Sequence, residues 1–302
     1  MTLTELRYIV TVAATGHFGR AAKQCFVSQP TLSVAIKKLE DELNIAIFER
    51  RKNGVSTTDV GKKVIAQAKV TLQQAQVIKE IALNDRDQLS SPLKVGAIHT
   101  VGPYLFPKLV HQLRAIARQM PLYIEENFTS RLREKLLEGE LDAIIVALPF
   151  EETDVVTVNL YHEDFLMLLH PEHPWCARES IAASSLSQTE LLLLGEGHCF
   201  RDQIIESCQS LQQVLNQQQK ATQGSSLETI RMMVSSGLGS SVMPRSAVQA
   251  QHTKGLKVIP FSKPTPGRTI ALAWRASFTR TKAIDSLLEA LNCAEIKGIQ
   301  HG

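Results

Sequence analysis

The sequence predicts an α/β protein with an N-terminal helix-turn-helix module, a long linker helix and a larger α/β domain. Three observations support this fold class. Apolar residues recur at helical spacing in three short stretches of the first fifty residues, and then in one long stretch from about residue 58. Beyond residue 92, strand-like and helix-like stretches alternate. The 44% hydrophobic content supplies core material for two or three domains.

Each of the first three predicted helices is defined by an apolar stripe. The stripes are Leu6, Ile9, Val10 and Ala13; Phe18, Ala21, Ala22 and Cys25; and Leu32, Ile36, Leu39 and Leu43. Ser28 is placed to cap the third helix, and Pro30 is tolerated in its first turn because that backbone nitrogen has no partner within the helix. A short turn followed by such a helix is typical of a helix-turn-helix.

The third helix presents a second set of side chains beside its apolar stripe, on the arc expected to face DNA. These are Gln29, Pro30, Thr31, Ser33 and Lys37. Glutamine suits adenine edges, serine a base or a phosphate, and lysine a phosphate or guanine. A hairpin predicted at 49–56 would place Arg50 and Arg51 against phosphates. On spacing alone, a three-helix bundle with a solvated polar face explains the pattern equally well.

The charge distribution fits an anion-binding N-terminus. Net charge is +3, and residues 1–90 carry 13 Lys and Arg against 9 Asp and Glu. A solvated charged face gives a similar count. We expect a cytoplasmic protein with no membrane partner, because no apolar run approaches the roughly 20 residues of a membrane span and the N-terminus lacks a signal-peptide pattern.

The linker follows from one long apolar pattern. Thr58 is expected to cap a helix of about 26 residues, roughly 39 Å long, which needs a partner helix to cover it. The polar residues 84–92 predict a hinge. The resulting domains are a DNA-binding module at 1–58, a dimerising linker helix at 59–88 and an effector domain at 91–302.

The effector domain is predicted to be α/β with a mostly parallel sheet. Strands are expected at 93–98, 121–128 and 141–148, with helices at 103–118 and 130–138. Further strands are expected at 155–169, 190–194, 239–243, 255–261 and 269–274, and a final helix at 282–295.

The segment 195–208, GEGHCFRDQIIESC, carries the strongest chemical signal. Cys199 begins a predicted helix beside His198 and Arg201, where the helix dipole and a cation stabilise a thiolate. Peroxide oxidises a thiolate to sulfenic acid, which condenses with a second thiol, and Cys208 is the nearest. Nine positions of helix separate the two by about 13 Å, and a disulfide needs Cα atoms within about 7 Å. The segment must therefore unwind before a bond can form.

Each cysteine also has a purely structural interpretation. Cys208 falls on the apolar face of the predicted helix, and free cysteine is among the most buried residue types. Cys25, Cys176 and Cys293 are assigned to the structural class. The five cysteines have no metal-type spacing and neither do the nine histidines, so we expect no metal and no cofactor.

Residues 17–50, HFGRAAKQCFVSQPTLSVAIKKLEDELNIAIFER, closely resemble the winged helix-turn-helix of LysR-type transcriptional regulators. The resemblance continues through that family's linker helix and its two-lobed effector domain, which is similar in fold to periplasmic binding proteins. It implies a lobe I of about 91–162 plus 268–302 and a lobe II of about 163–267. It also implies a homo-oligomer, often a tetramer, on double-stranded promoter DNA, with RNA polymerase as a candidate partner.

Three stretches resemble the peroxide sensors of this family, the OxyR group. They are LLLLGEGHCFRDQ at 191–203, IHTVGPYLFP at 98–107 and SSLETIRMMVSSGLG at 225–239. The resemblance implies a peroxidatic Cys199, a resolving Cys208, hydrogen peroxide as the signal and a cellular thiol reductant. It also implies a peroxide pocket formed by Thr100, Thr129, His198, Arg201, Asp202, Gln203 and Arg268. The Gln-rich stretch 209–223 matches no family pattern.

Three functional hypotheses follow. The first is a peroxide-responsive regulator that is not an enzyme. The second keeps the DNA-binding half but makes the effector domain a receptor for a small carboxylate between its lobes, near Thr100, without redox chemistry. The third is a thiol peroxidase, which leaves the helix-turn-helix pattern unexplained.

Overall fold

The structure, a computed structural model, describes residues 1–51, 54–84, 88–208, 211, 223–249, 253–294 and 300–301. The side chains at 50, 51, 54, 73, 76, 79–84 and 300–301 also lie outside the description. The chain divides into two units, residues 1–86 and 87–302. None of the helices in the described part is both long enough and apolar enough to cross a membrane.

The first unit begins with α1 (Leu3–Thr15), α2 (Phe18–Gln24) and α3 (Gln29–Leu43). Their predicted apolar stripes meet in one core, in which Ile9, Leu32 and Leu39 are fully buried. Ser28 caps α3 as predicted, because its Oγ accepts a hydrogen bond from the Thr31 backbone nitrogen at 3.3 Å.

A hairpin and a long helix complete this unit. Strands β1 (Phe48–Arg51) and β2 (Gly54–Thr57) pair antiparallel with Arg51 opposite Gly54. Helix α4 (Asp59–Asn84) has 26 residues and begins where the Thr58 Oγ1 accepts from the Gly61 backbone nitrogen at 2.9 Å. The predicted hairpin strands, cap and helix length are confirmed.

The second unit begins with two βα crossovers. They comprise β3 (Leu93–Ile98), α5 (Gly102–Ile116), β4 (Leu122–Asn127), α6 (Thr129–Leu137) and β5 (Ala143–Ala147). Strand β3 lies between β4 and β5 and pairs parallel with both. The carboxyl ends of β3 and β4 therefore lie side by side, where the chain enters α5 and α6.

The rest of the second unit crosses to a second lobe and returns. The elements are β6 (Val155–Leu169), β7 (Leu193–Leu194), α7 (Cys199–Ser207), β8 (Gln223–Gly224), α8 (Leu227–Ser235), β9 (Ser241–Pro244), β10 (Lys257–Pro260), β11 (Gly267–Arg275), α9 (Thr281–Cys293) and β12 (Gln300–His301). Residues Val155–Asp164 of β6 pair with β11, and Phe165–Leu169 pair with β9 and β10. The predicted α/β class is confirmed.

The prediction of a mostly parallel sheet was wrong. Strand order in the main sheet is β10-β6-β11-β5-β3-β4, and the described pairs of β5 with β11, β11 with β6, and β6 with β9 and β10 are antiparallel. Parallel pairing needs a crossover helix, which α5 and α6 supply only for β3, β4 and β5. Strands β6 and β11 instead connect the lobes directly, so they run in opposite directions.

The second half of the predicted hinge is held to the second unit. The guanidinium of Arg280 donates to the carbonyl oxygens of Gln88, Ser91 and Pro92 at 2.6–3.0 Å. These bonds fix residues 88–92 against the start of α9. The earlier positions 85–87 of the predicted hinge lie outside the described residues.

Candidate functional site

Helix α7 separates the two cysteines of the predicted redox pair. Cys199 is its first residue and is half-buried, whereas Cys208 follows its last residue and is 3% exposed. Neither cysteine takes part in a disulfide. Because the helix between them is intact, nine positions place them about 13 Å apart along its axis. In this state the two sulfurs cannot bond.

The two cysteines pack against different cores. Cys199 contacts the core of lobe I, which is built on β3, β5 and α5. Cys208 belongs to the core of lobe II, together with Phe200, Ile204 and Leu211. The prediction that Cys208 is buried in the reduced protein is confirmed. The rest of the Gln-rich segment, 209–210 and 212–222, lies outside the described residues.

Cys199 lines a small cavity at the carboxyl ends of β3 and β4. The lining residues are Ile98, His99, Thr100, Asn127, Phe128, Thr129, Gly197, His198, Cys199 and Phe200. The cavity leaves about 10 Å³ for the centre of a water-sized molecule. This is close to the volume that one buried water needs. The space therefore suits only a very small ligand.

Two of the lining residues are threonines whose hydroxyls can form hydrogen bonds to a ligand in this cavity. The buried Oγ1 of Thr129 has no hydrogen-bond partner among the described residues. The Oγ1 of Thr100 accepts from Arg268 Nη1 at 2.8 Å, so the Thr100 hydroxyl hydrogen remains available as a donor. A small polar ligand can thus be held by both hydroxyls.

A buried ion pair positions Thr100 from behind. Arg268 on β11 and Glu163 on β6 are joined at 2.8 Å, and both side chains are fully buried. Arg268 Nη2 also donates to the Thr100 carbonyl oxygen at 3.1 Å, and the Ser246 backbone nitrogen donates to Glu163 Oε2 at 2.9 Å. The guanidinium carbon lies 5.0 Å from the centre of the Phe200 ring. Paired and hydrogen-bonded in this way, the buried charges are compensated.

Three rings that line the cavity pack against one another. The His198 ring lies 4.7 Å from the Phe128 ring and 5.7 Å from the His99 ring, centre to centre. Burial lowers the pKa of His198, and the neighbouring His99 lowers it further. Both effects favour the neutral form of the His198 ring over the imidazolium. Gly197 precedes it with φ +90°, and a Cβ there would lie 3.3 Å from the Phe128 ring.

The structure brings some predicted pocket residues to the cavity and places others outside its lining. Thr100, Thr129 and His198 line it with Cys199. Arg201 Nη1 instead donates to the Leu194 carbonyl oxygen at 3.0 Å, and Asp202 is exposed.

Gln203 and Arg268 line a separate open cleft of about 670 Å³. Gln203 Nε2 donates to the Leu148 carbonyl oxygen at 3.3 Å, and its buried Oε1 has no partner among the described residues. Arg201 and Gln203 thus hold α7 in place.

The sequence predictions missed His99, Asn127 and Phe128. His99 and Phe128 each lie next to a predicted residue, because His99 precedes Thr100 and Phe128 precedes Thr129, whereas Asn127 lies two positions before Thr129. That adjacency at two strand ends was the available signal. Of the cysteines assigned to the structural class, Cys25 and Cys176 are half-buried and Cys293 is exposed. Within the described residues, no three His, Cys, Asp or Glu side chains gather as a metal site requires.

In the first unit, α3 exposes the arc that was predicted to face DNA. Gln29, Pro30, Thr31 and Lys37 are exposed and Ser33 is half-buried. Val34, which the sequence analysis did not single out, is 69% exposed between them. The predicted phosphate contacts Arg50 and Arg51 lie on β1, with side chains outside the described part of the chain.

Comparisons with known proteins match both units. Residues 3–62 match the bacterial regulatory helix-turn-helix proteins of the lysR family, and residues 86–294 match the LysR substrate binding domain. The DNA-binding transcriptional dual regulator OxyR of Escherichia coli K12 is 37% identical over 292 residues, covering 96% of this chain and 95% of that protein. The hydrogen peroxide-inducible genes activator of Haemophilus influenzae is 37% identical over 303 residues, covering 100% and 99%.

Solved structures are also similar to this chain over nearly its full length. A full-length OxyR cysteine-to-aspartate variant from Pseudomonas aeruginosa is 56% identical, with 98% of this chain and 99% of that chain covered and a TM-score of 0.77. A hydrogen peroxide-bound cysteine mutant of Corynebacterium glutamicum OxyR is 34% identical, with 97% and 92% covered and a TM-score of 0.65. From its matched domains and near full-length similarity, the chain belongs to the LysR family of transcriptional regulators and, within it, to the OxyR group.

Proposed function

We propose that this chain is a peroxide-responsive transcription regulator in which hydrogen peroxide oxidises Cys199 and Cys208 then closes a disulfide. One observation carries the proposal: Cys199, the first residue of α7, lines a very small cavity together with the Thr129 hydroxyl, which has no hydrogen-bond partner among the described residues. The relatives include hydrogen peroxide-inducible genes activators, and their names support hydrogen peroxide as the signal.

In the first step, the thiolate of Cys199 attacks one oxygen of hydrogen peroxide. The O–O bond breaks, an S–O bond forms, and the other oxygen leaves as hydroxide, which takes a proton to become water. Thr129 and Thr100 are suited to hold the peroxide in line with the sulfur. The Thr100 hydroxyl also stabilises the leaving oxygen, because Arg268 donates to its Oγ1 and polarises it.

In the second step, the thiolate of Cys208 attacks the sulfenic sulfur of Cys199. An S–S bond forms, the S–O bond breaks, and a second water leaves, so two thiols and one peroxide become one disulfide and two waters. The bond requires Cys208 to leave the core of lobe II and α7 to unwind. The chemical event thereby becomes a change of shape, which a cellular thiol reductant reverses.

The first unit would convert that change into altered promoter binding. Helix α3 presents its exposed arc to the major groove, with Arg50 and Arg51 on phosphates.

Helix α4 leaves Val60, Val70 and Ile78 between 43% and 69% exposed, as expected of a helix paired with a second copy. We propose a dimer through α4 that assembles further to a tetramer, acts without enzymatic turnover and contacts RNA polymerase. Because promoter DNA lies in the cytoplasm, the protein acts there.

Thiol mapping tests the proposal. Reduced protein receives one equivalent of hydrogen peroxide, and its disulfides are located by mass spectrometry. We expect a Cys199–Cys208 bond in the wild type, a trappable sulfenic acid at Cys199 in Cys208→Ser, and no reaction in Cys199→Ser. Cys293→Ser is the matched control, because Cys293 is exposed and should leave the bridge unchanged. Oxidation confined to other cysteines would overturn the proposal.

A receptor for a small metabolite is the second candidate function. The open cleft of about 670 Å³, lined by His162, Gln203 and Arg268, is large enough for a small organic ligand, unlike the cavity at Cys199. If both cysteines of α7 stay reduced under peroxide while small carboxylates raise the melting temperature, this function replaces the first.

A further inference from the structure

Phe26 stands out in the turn between α2 and α3. Its backbone has φ +56°, in the left-handed region, and its side chain is 95% exposed. Bulky residues are rare in that region because the Cβ crowds the backbone. A large apolar ring in full contact with water is also unfavourable. Two unfavourable features therefore coincide at one residue.

The turn itself does not require phenylalanine. The Phe26 nitrogen donates to the Lys23 carbonyl oxygen at 3.2 Å, and the Val27 nitrogen donates to the Ala22 carbonyl oxygen at 3.0 Å. These bonds form a Schellman motif that ends α2, in which the left-handed position is usually glycine and sometimes asparagine. Val27 packs against the core and supplies the apolar contact of the motif. Glycine or asparagine would thus serve the fold at least as well as Phe26.

The position of Phe26 indicates a partner for the ring. It lies two residues before Ser28, the cap of α3, and three before Gln29. The first residues of a recognition helix contact base edges in the major groove. Thymine alone presents a methyl group there, and phenylalanine is one of the side chains that contact it.

We propose that Phe26 is a specificity-determining contact of the DNA-binding unit, in which its ring packs on a thymine methyl beside the bases contacted by α3. This inference rests on the DNA-binding function proposed above. The strained backbone aims the ring away from the protein core, and the methyl contact removes the ring from water.

The test removes the methyl and the ring separately. The wild-type protein selects its duplex from a random pool, and each thymine is then replaced by deoxyuridine, which lacks only the methyl group. We expect one position in each half-site at which the wild type loses about three- to fivefold in affinity. Phe26→Gly and Phe26→Asn should bind the thymine duplex about three- to tenfold more weakly and lose nothing further at that position.

Melting temperature and a matched variant separate contact from folding. Phe26→Gly should melt at the wild-type temperature or above it, because glycine adopts the left-handed region freely. Asn44→Gly makes the same kind of change at the left-handed cap that ends α3, where φ is +52°, and should bind DNA like the wild type.

The outcomes distinguish this inference from the function on which it rests. If Gln29→Ala weakens binding while both Phe26 variants bind like the wild type, the contact does not exist although the DNA-binding function stands. On each deoxyuridine duplex, the affinity of a Phe26 variant is compared with that of the wild type. If the variant is weaker by the same factor on every duplex, the ring does not contact a thymine methyl. If the wild type selects no sequence at all, the DNA-binding proposal itself fails.

Discussion

The two ends of α7 are held by opposite kinds of interaction. Cys199 packs against the core of lobe I, but a buried ion pair, two threonine hydroxyls and a histidine lie around the small cavity that it lines. Cys208 is packed among the apolar side chains of lobe II. The first environment is suited to bind a small polar molecule. The second protects a thiol until the helix opens.

The difference between the two environments indicates the order in which the two thiols react. A buried thiol cannot meet an oxidant from solution, whereas a thiol on a cavity can. Cys199 must therefore react first, and Cys208 can respond only after the helix between them loosens.

The largest effect is expected from the ion pair behind the Cys199 end. Arg268→Met leaves the buried Glu163 carboxylate without a cationic partner, and we expect the free energy of unfolding to fall by about 3–5 kcal/mol. Urea unfolding of the reduced protein measures it. The double variant Arg268→Met with Glu163→Gln should recover part of the loss, because no charge remains buried. A loss below about 1 kcal/mol would contradict a compensating role for this pair.

The next effect concerns the rate at which Cys199 reacts. Thr100→Val and Thr129→Val each remove a hydroxyl from the cavity, and oxidation of Cys199 should slow by roughly 10- to 100-fold. Stopped-flow measurement with hydrogen peroxide gives the rate. Thr100→Ser keeps a hydroxyl and should react nearly as fast as the wild type. Equal rates in all variants would show that the hydroxyls do not position the peroxide.

A smaller effect compares the two cysteines directly. Cys208→Ser places a hydroxyl in an apolar core, and the reduced protein should lose about 1–2 kcal/mol of unfolding free energy. Cys199→Ser lies beside polar groups and should change it by less than about 0.5 kcal/mol. Denaturant unfolding under reducing conditions measures both. Equal losses would remove the contrast between the two ends.

The smallest effect is a pH dependence from His198. Because burial lowers its pKa, the folded state binds fewer protons than the unfolded state near pH 6.5. Stability should therefore level off above about pH 7.5 and fall as the pH drops through 6.5. His198→Gln should flatten the curve. His173→Gln is the control, because burial also lowers the pKa of His173, and that variant should retain the part due to His198.

Local signals made most elements predictable. Ser28 and Thr58 mark the starts of α3 and α4 because capping is decided by neighbouring residues. The long apolar stretch 155–169 likewise gave the bounds of β6. The direction of its neighbours was not predictable, because β11 returns more than a hundred residues later and no local pattern records that distance.

The residues of the candidate site were likewise predictable only in part. Resemblance pointed to Thr100, Thr129 and His198 beside Cys199, but not to His99 and Phe128, whose contact exists only because β3 and β4 lie side by side. The lowered pKa of His198 was also missed, because it depends on burial that the whole fold produces.

Strand β6 has a consequence for how the effector domain can be dissected. Since its first ten residues belong to one lobe and its last five to the other, neither lobe is a continuous piece of chain. A fragment ending at residue 164 would lack β11, and one beginning there would start inside a ladder of hydrogen bonds. The sensing domain is thus expected to be produced, melted and transplanted into chimeras only as a whole.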